Sequence, residues 1–160
     1  MDIIAVPLGI PAGCNVIAGQ SHFIKSVEDI AEIVVTTVPG AAFGLAFCEA
    51  SGPCLIRTDG NDDALVAAAA DNARRVGAGH TFHLLLRGAY PINLLPAIKQ
   101  CQEVCTVFCA TANPVQVLVV QHEQGRGVVG VVDGESPRGT EDAAAREERR
   151  QFLRKIGYKR

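Results

Sequence analysis

The segment Asn61–Leu86, NDDALVAAAADNARRVGAGHTFHLLL, contains a complete helix-to-strand passage. Asn61 suits an N-cap, and Asp59, Asp62 and Asp63 are explained by the preceding turn and by the positive end of a helix. Ala64, Ala67 to Ala70 and Ala73 give that helix a surface without bulk, suited to close packing on a sheet. It runs to Val76, where Gly77 and Gly79 supply left-handed positions that stop it. His80 to Leu86 then reads as an apolar strand.

The flanking sequence extends this alternation. Asp2 to Leu8 and Asn15 to Gly19 read as short strands joined by a turn through Gly9, Pro11 and Gly13. Ser26 reads as an N-cap with Asp29 in the capping-box position, followed by Val27, Ile30, Ala31, Val34 and Val38 at helical spacing. Pro39-Gly40 ends that helix; Ala42 to Cys48 is an apolar strand and Leu55 to Thr58 a short exposed one. Beyond Leu86, Pro91 opens a helix to about Gln100. Strands follow at Val104 to Ala110, Val115 to Gln121 and Val128 to Val132, with Ala112-Asn113-Pro114 expected to pair the first two as a hairpin. A last helix spans about Glu141 to Ile156, with Phe152, Leu153 and Ile156 as its docking face. The expectation is α/β: a single domain over residues 1–160, built on a mixed sheet with helices on its faces.

Bulk properties agree. A chain of 160 residues, 48% apolar, buries roughly 70% of its unfolded surface and needs no disulfide staple. The formal net charge is −2, and the basic residues gather in the tail from Glu141 to Arg160. An acidic body repels a phosphate backbone, so nucleic acid is not an expected partner. No apolar run reaches the ~18 residues of a membrane span, and no basic n-region precedes an apolar stretch, so a cytoplasmic location is expected. The six cysteines form no CxxC pair; the strand at 104–108 breaks the helical face that would unite Cys101, Cys105 and Cys109. They read as buried and reduced, and no metal-ligand set is expected.

The chemistry-bearing residues stand at strand ends, where α/β sheets bind ligands. His22, in a loop after the second strand, has Lys25 three positions on; a neutral imidazole is a usable nucleophile and the ammonium could offset a phosphate. His80 follows Gly77-Ala78-Gly79, whose N–H groups could form an anion nest, but it begins its strand and so stands at the wrong end if the strands are parallel. His83 reads as a half-buried strand residue, and His122 as a solvated one before a turn. Glu49 and Asp133 end apolar strands and could bind a ribose hydroxyl, hold Mg²⁺ or act as a base. Tyr90 and Asn93 stand at a helix start, where free backbone N–H groups favour an anion, and Asn113 lies in a turn closing another strand. Arg126, between Gly125 and Gly127, offers a guanidinium fork. GxxxxGK[ST], GxGxxG, GxSxG and HExxH are all absent.

Several of these stretches together resemble the adenosine-specific kinase family. They are Gly19-Gln20-Ser21-His22-Phe23-Ile24-Lys25, Gly44 to Gly52, Gly77-Ala78-Gly79-His80, Pro91-Ile92-Asn93, Ala110 to Pro114, Gly125-Arg126-Gly127, Gly130 to Gly134 and Phe152 to Tyr158. The resemblance implies a three-layer α/β fold, homo-oligomerisation, adenosine or AMP as ligand, and ATP-dependent phosphotransfer through a phosphorylated histidine, with Mg²⁺ as an accompanying ion. Either His22 or His80 fits as the phosphate carrier, and loop placement favours His22. The rival expectations are a non-catalytic AMP or adenosine sensor and a nucleotide hydrolase.

Overall fold

The computed structural model describes residues 2–160. In chain order its elements are β1 (Ile3–Pro7), β2 (Cys14–Ser21), α1 (Ser26–Thr37), β3 (Ala42–Cys48), β4 (Ile56–Gly60), α2 (Asp63–Val76), β5 (Thr81–Arg87), α3 (Pro91–Gln100), β6 (Val104–Thr111), β7 (Val115–His122), β8 (Gly125–Asp133) and α4 (Ala143–Lys155). Five strands form a central sheet in the order β4-β3-β5-β2-β6, and three form a smaller one, β1-β7-β8.

The central sheet separates two cores because its strands alternate sharply in side-chain size. Phe43, Leu45, Phe47, Phe82, Leu84, Leu86 and Ile17 point to one face, where α1 and α3 cover them with Val27, Ile30, Val34, Leu94 and Ile98. A Leu or Phe fully buried in this way contributes about 1.5–3 kcal/mol. The opposite face carries Val16, Ala18, Ala46, Cys48 and Leu85, against which α2 lays Leu65, Ala69, Ala73 and Val76, beside the small sheet's Val115, Val117 and Val119. The alanine surface of α2 therefore does what its sequence suggests. Gly44 makes the approach closest: a Cβ there would stand 2.1 Å from the Leu65 backbone carbon. The layers are α1 with α3, the central sheet, then α2 with the small sheet.

The α/β class and the layering stand; the single mixed sheet does not. There are two sheets, and every strand pair within them is antiparallel. The Ala112-Asn113-Pro114 turn joins no hairpin, since β6 pairs with β2 while β7 pairs with β1 and β8. Val115, Val117 and Val119 are all buried on one side of β7, so that strand packs on the face of the central sheet instead of extending its edge.

Two caps also differ from expectation. Asp62, not Asn61, caps α2 by accepting the Leu65 N–H at 3.1 Å, while Asn61 bridges to the Ala41 carbonyl and Phe43 N–H beside β3. Ser26 does not cap α1, because a turn at Phe23 already brings the chain in helically; its buried hydroxyl meets that of Ser21. Of the cysteines, Cys14, Cys48 and Cys109 are buried, but Cys54 and Cys105 are exposed, and all six are free. α4 buries none of its residues, and Phe152 and Ile156 lie exposed instead of docked. No helix among the described residues is long and apolar enough to cross a membrane.

Candidate functional site

Antiparallel pairing determines where the site residues meet. Because β5 runs against both β2 and β3, its first residue lies beside their last ones: Thr81 pairs with Gln20, and Phe82 with Phe47. His80, which a parallel sheet would strand at the far edge, is thereby brought next to His22. Their ring centroids lie 6.4 Å apart, edge to face, and the His80 ring stacks on Phe47 at 5.8 Å.

The backbone around both histidines is tied down. His80 donates its N–H to the Cys48 carbonyl at 2.7 Å and accepts the Ser21 N–H at 2.9 Å; His22 donates its own to the Glu103 carbonyl at 2.8 Å. This frame holds His80 at φ +61°, a left-handed conformation that costs a non-glycine residue about 1–2 kcal/mol. Backbone strain of this kind concentrates at functional positions. Neither ring donates or accepts a hydrogen bond with other side chains or the backbone among the described residues.

Gly79, the residue before His80, lines a pocket of about 680 Å³ between the central sheet and the small one. Its walls are the β3–β4 connection (Glu49, Ala50, Cys54, Leu55), the C-terminal turn of α2 (Ala73, Arg74) with Gly77, and the β7–β8 turn (His122 and Gln124 to Gly127). That volume falls within the range of small-molecule sites. Gly79 has to be glycine here, since a Cβ would come within 2.8 Å of the Ala50 methyl.

The polar walls are partly committed. Arg126 donates from Nη1 to the Arg75 and Val76 carbonyls, at 2.9 and 3.3 Å, and from Nε to Gln121 at 2.8 Å. Its guanidinium covers the negative end of α2 while forming one wall. Glu49 accepts the Leu55 N–H at 2.9 Å and pairs with Arg57 at 3.0 Å; the backbone N–H first, then Arg57, hold its carboxyl below the usual range. In the anion nest anticipated at 77–79, the N–H of Gly77 is taken by the Ala73 carbonyl, and that of the following His80 goes to Cys48. Positive charge at the pocket comes instead from Arg74 and Arg126.

The remaining candidates separate from this group. Lys25 is exposed and ion-paired with Asp29, whose hydrogen bond raises its pKa, so its ammonium turns along α1. Tyr90 and Asn93 lie beyond the other end of β5, roughly 20 Å away along seven strand residues. There Asn93 Oδ1 accepts the Tyr90 N–H at 2.9 Å and caps α3. Asn113 and Asp133 fasten a turn at the same end through a 3.2 Å side-chain bond. His122, expected to be merely solvated, is exposed and also on the pocket rim. The reading of the sequence missed Phe47 and Arg74: an apolar strand residue and a helix-surface arginine gave no local signal of a site.

His83, expected to be half-buried, is 1% exposed, between Ala18 and Ala46 in register, and neither ring nitrogen has a hydrogen-bond partner. Burial, with the charge of Arg75 a lesser cause, pulls its pKa down to about 4, so it is neutral at pH 7.

The fold and pocket define a three-layer α/β protein with a small-molecule-sized cavity whose wall includes Gly79; His22 and His80 are not among its lining residues, but His80 follows Gly79 directly in the chain. The adenosine specific kinase family model matches residues 6–159, and the chain belongs to that family. The family's name points to a kinase-like function connected with adenosine. The crystal structure of PH1918 protein from Pyrococcus horikoshii OT3 is 45% identical and superposes with a TM-score of 0.95, covering 99% of this chain and 98% of that one. A search of the curated proteins finds no match.

Proposed function

We propose that the protein binds adenosine or AMP in the pocket between Glu49, Gly79 and Arg126, and transfers phosphate from Mg-ATP to adenosine through a phosphorylated histidine. The observation that carries this reading is the pair of histidine rings, 6.4 Å apart, with His80 directly following Gly79 in the wall of a pocket of about 680 Å³. One imidazole nitrogen attacks the γ-phosphorus and ADP leaves; the adenosine 5′-hydroxyl then attacks the phosphohistidine, giving AMP and returning the neutral imidazole as the hydroxyl proton passes to solvent. His80 is the better-placed carrier on geometry, since it adjoins Gly79 and its ring is held by Phe47. His22 then faces the phosphoryl group from the side. Arg74 and Arg126 supply positive charge for its oxygens. The one carboxylate on the pocket wall, Glu49, is occupied by Arg57, so the pocket offers no free acidic ligand for Mg²⁺ and the ion enters with ATP as part of the substrate.

The test is ³¹P NMR of the protein with Mg-ATP, with and without adenosine, alongside His22→Ala and His80→Ala. AMP accumulating over many turnovers only with adenosine, and lost in one variant, is the expected result. Phosphate release without adenosine would make the protein a hydrolase. A sensor role is the second reading, favoured by the N–H groups of Gly77 and His80, which are spent on Ala73 and Cys48 and so are not offered to a triphosphate. Binding without turnover would establish it. Homo-oligomerisation belongs to the same proposal, supported by the uncovered Phe152, Ile156 and Tyr158 on and after α4.

A further inference from the structure

On the α1/α3 side of the sheet, behind His22, three groups from distant parts of the chain face one another. Asp29 comes from the first turn of α1, Cys101 from the end of α3, and Glu103 from the approach to β6. One ligand atom from each lies within 4.8 Å of the other two. They line a cleft of about 390 Å³ whose other walls are Glu32, Ile33, Thr36, Ala97, Gln100 and Gln102; none of these lining residues is basic.

Glu103 makes this more than an acidic patch. It is 6% exposed, its Oε1 has only a 3.4 Å contact from the Ser26 hydroxyl, and its Oε2 is buried with no partner. A buried carboxylate oxygen without a donor is expensive to keep, and here it faces a second carboxylate and a thiol. The one cation at hand, Lys25, pairs with Asp29 from the exposed side.

We propose that Asp29, Cys101 and Glu103 form a binding site for a first-row divalent cation of the zinc type. Two carboxylate oxygens and one sulfur make a borderline set that suits Zn²⁺ or Co²⁺ better than Mg²⁺ or Ca²⁺. Three protein ligands leave a fourth position open to the cleft, as in zinc sites that keep a water. Binding joins the metal to Sγ as the thiol proton passes to solvent. Because the Glu103 carbonyl also accepts the His22 N–H and the Ser21 hydroxyl, the ion would brace the strand end that carries His22. Sequence spacing could not show this set, since its members fall in no short motif.

The experiment is titration of the chelator-stripped full chain with Co²⁺, read by the thiolate-to-cobalt charge-transfer band in the near ultraviolet and by calorimetry with Zn²⁺. One ion per chain is expected, with the band lost in Cys101→Ser and retained in Cys105→Ser. Glu103→Gln should weaken binding at least tenfold, and Lys25→Ala should tighten it by freeing Asp29. Circular dichroism of each variant without metal checks that it is folded; if Glu103→Gln does not fold, Cys101→Ser decides. Absence of saturable binding, or a band that survives Cys101→Ser, would overturn the proposal.

Discussion

The two ends of the central sheet carry conspicuous polar residues in similar numbers and use them differently. At the Tyr90 end, Asn93 caps a helix and Asn113 ties Asp133 across a turn, so their hydrogen-bonding capacity is spent on the chain itself. At the His80 end, Glu49 and Arg126 are likewise engaged, but they hold open the walls of a pocket, and the two imidazoles at that end touch mainly aromatic faces. A polar residue at a strand end marks a ligand site only where local bonding leaves both a cavity and a reactive atom.

The strongest way to break this contrast is to exchange residues at both ends. His22→Ala or His80→Ala is expected to lower AMP formation at least a hundredfold, in line with loss of a nucleophile or its partner. Asn113→Ala and Asp133→Asn should leave it within about twofold. The contrast fails if steady-state rates show the reverse.

His83 lies on β5 between the two ends and sharpens the contrast by belonging to neither. The folded protein keeps it neutral down to about pH 4, whereas the unfolded chain takes up a proton near the ordinary value of 6.5. Stability should therefore fall as pH drops from 6.5 toward 4, by roughly 3 kcal/mol, and this contribution should level off below. Urea unfolding across that range should show the loss, and His83→Leu should flatten it while leaving nucleotide affinity unchanged.

Arg126→Ala should weaken adenosine or AMP binding about tenfold by calorimetry and lower stability by about 1 kcal/mol, because it opens a pocket wall and uncovers two α2 carbonyls. Asn93→Ala is the smallest of the series: about 1 kcal/mol in stability from the lost cap, with no change in affinity.

Much of the fold was legible from local pattern. Ala42–Cys48 and Pro91–Gln100 have the bounds their apolar runs and Pro91 suggest, and α2 ends where Gly77 turns left-handed. Strand direction was not legible, because it is decided by which faces bury one another and not by any single run. That mattered for the site: assuming parallel strands put His80 at the wrong edge, whereas antiparallel pairing sets it beside His22. Cap identity failed for a similar reason. Asn61 found partners beside β3 that outcompeted its own helix end, and a turn at Phe23 starts the helical path before Ser26, whose hydroxyl turns to Ser21. His22, His80, Glu49 and Arg126 were visible as types in suggestive contexts, but nothing local separated them from Tyr90, Asn93, Asn113 and Asp133.

The most direct test of the central claim is a ¹⁵N-resolved NMR titration of the protein with adenosine. The account predicts saturable amide shifts at Glu49, Gly79, His80 and Arg126, with Tyr90, Asn93 and Asn113 unmoved. Shifts confined to Tyr90, Asn93 and Asn113 would contradict it and move the site to the other end of the sheet.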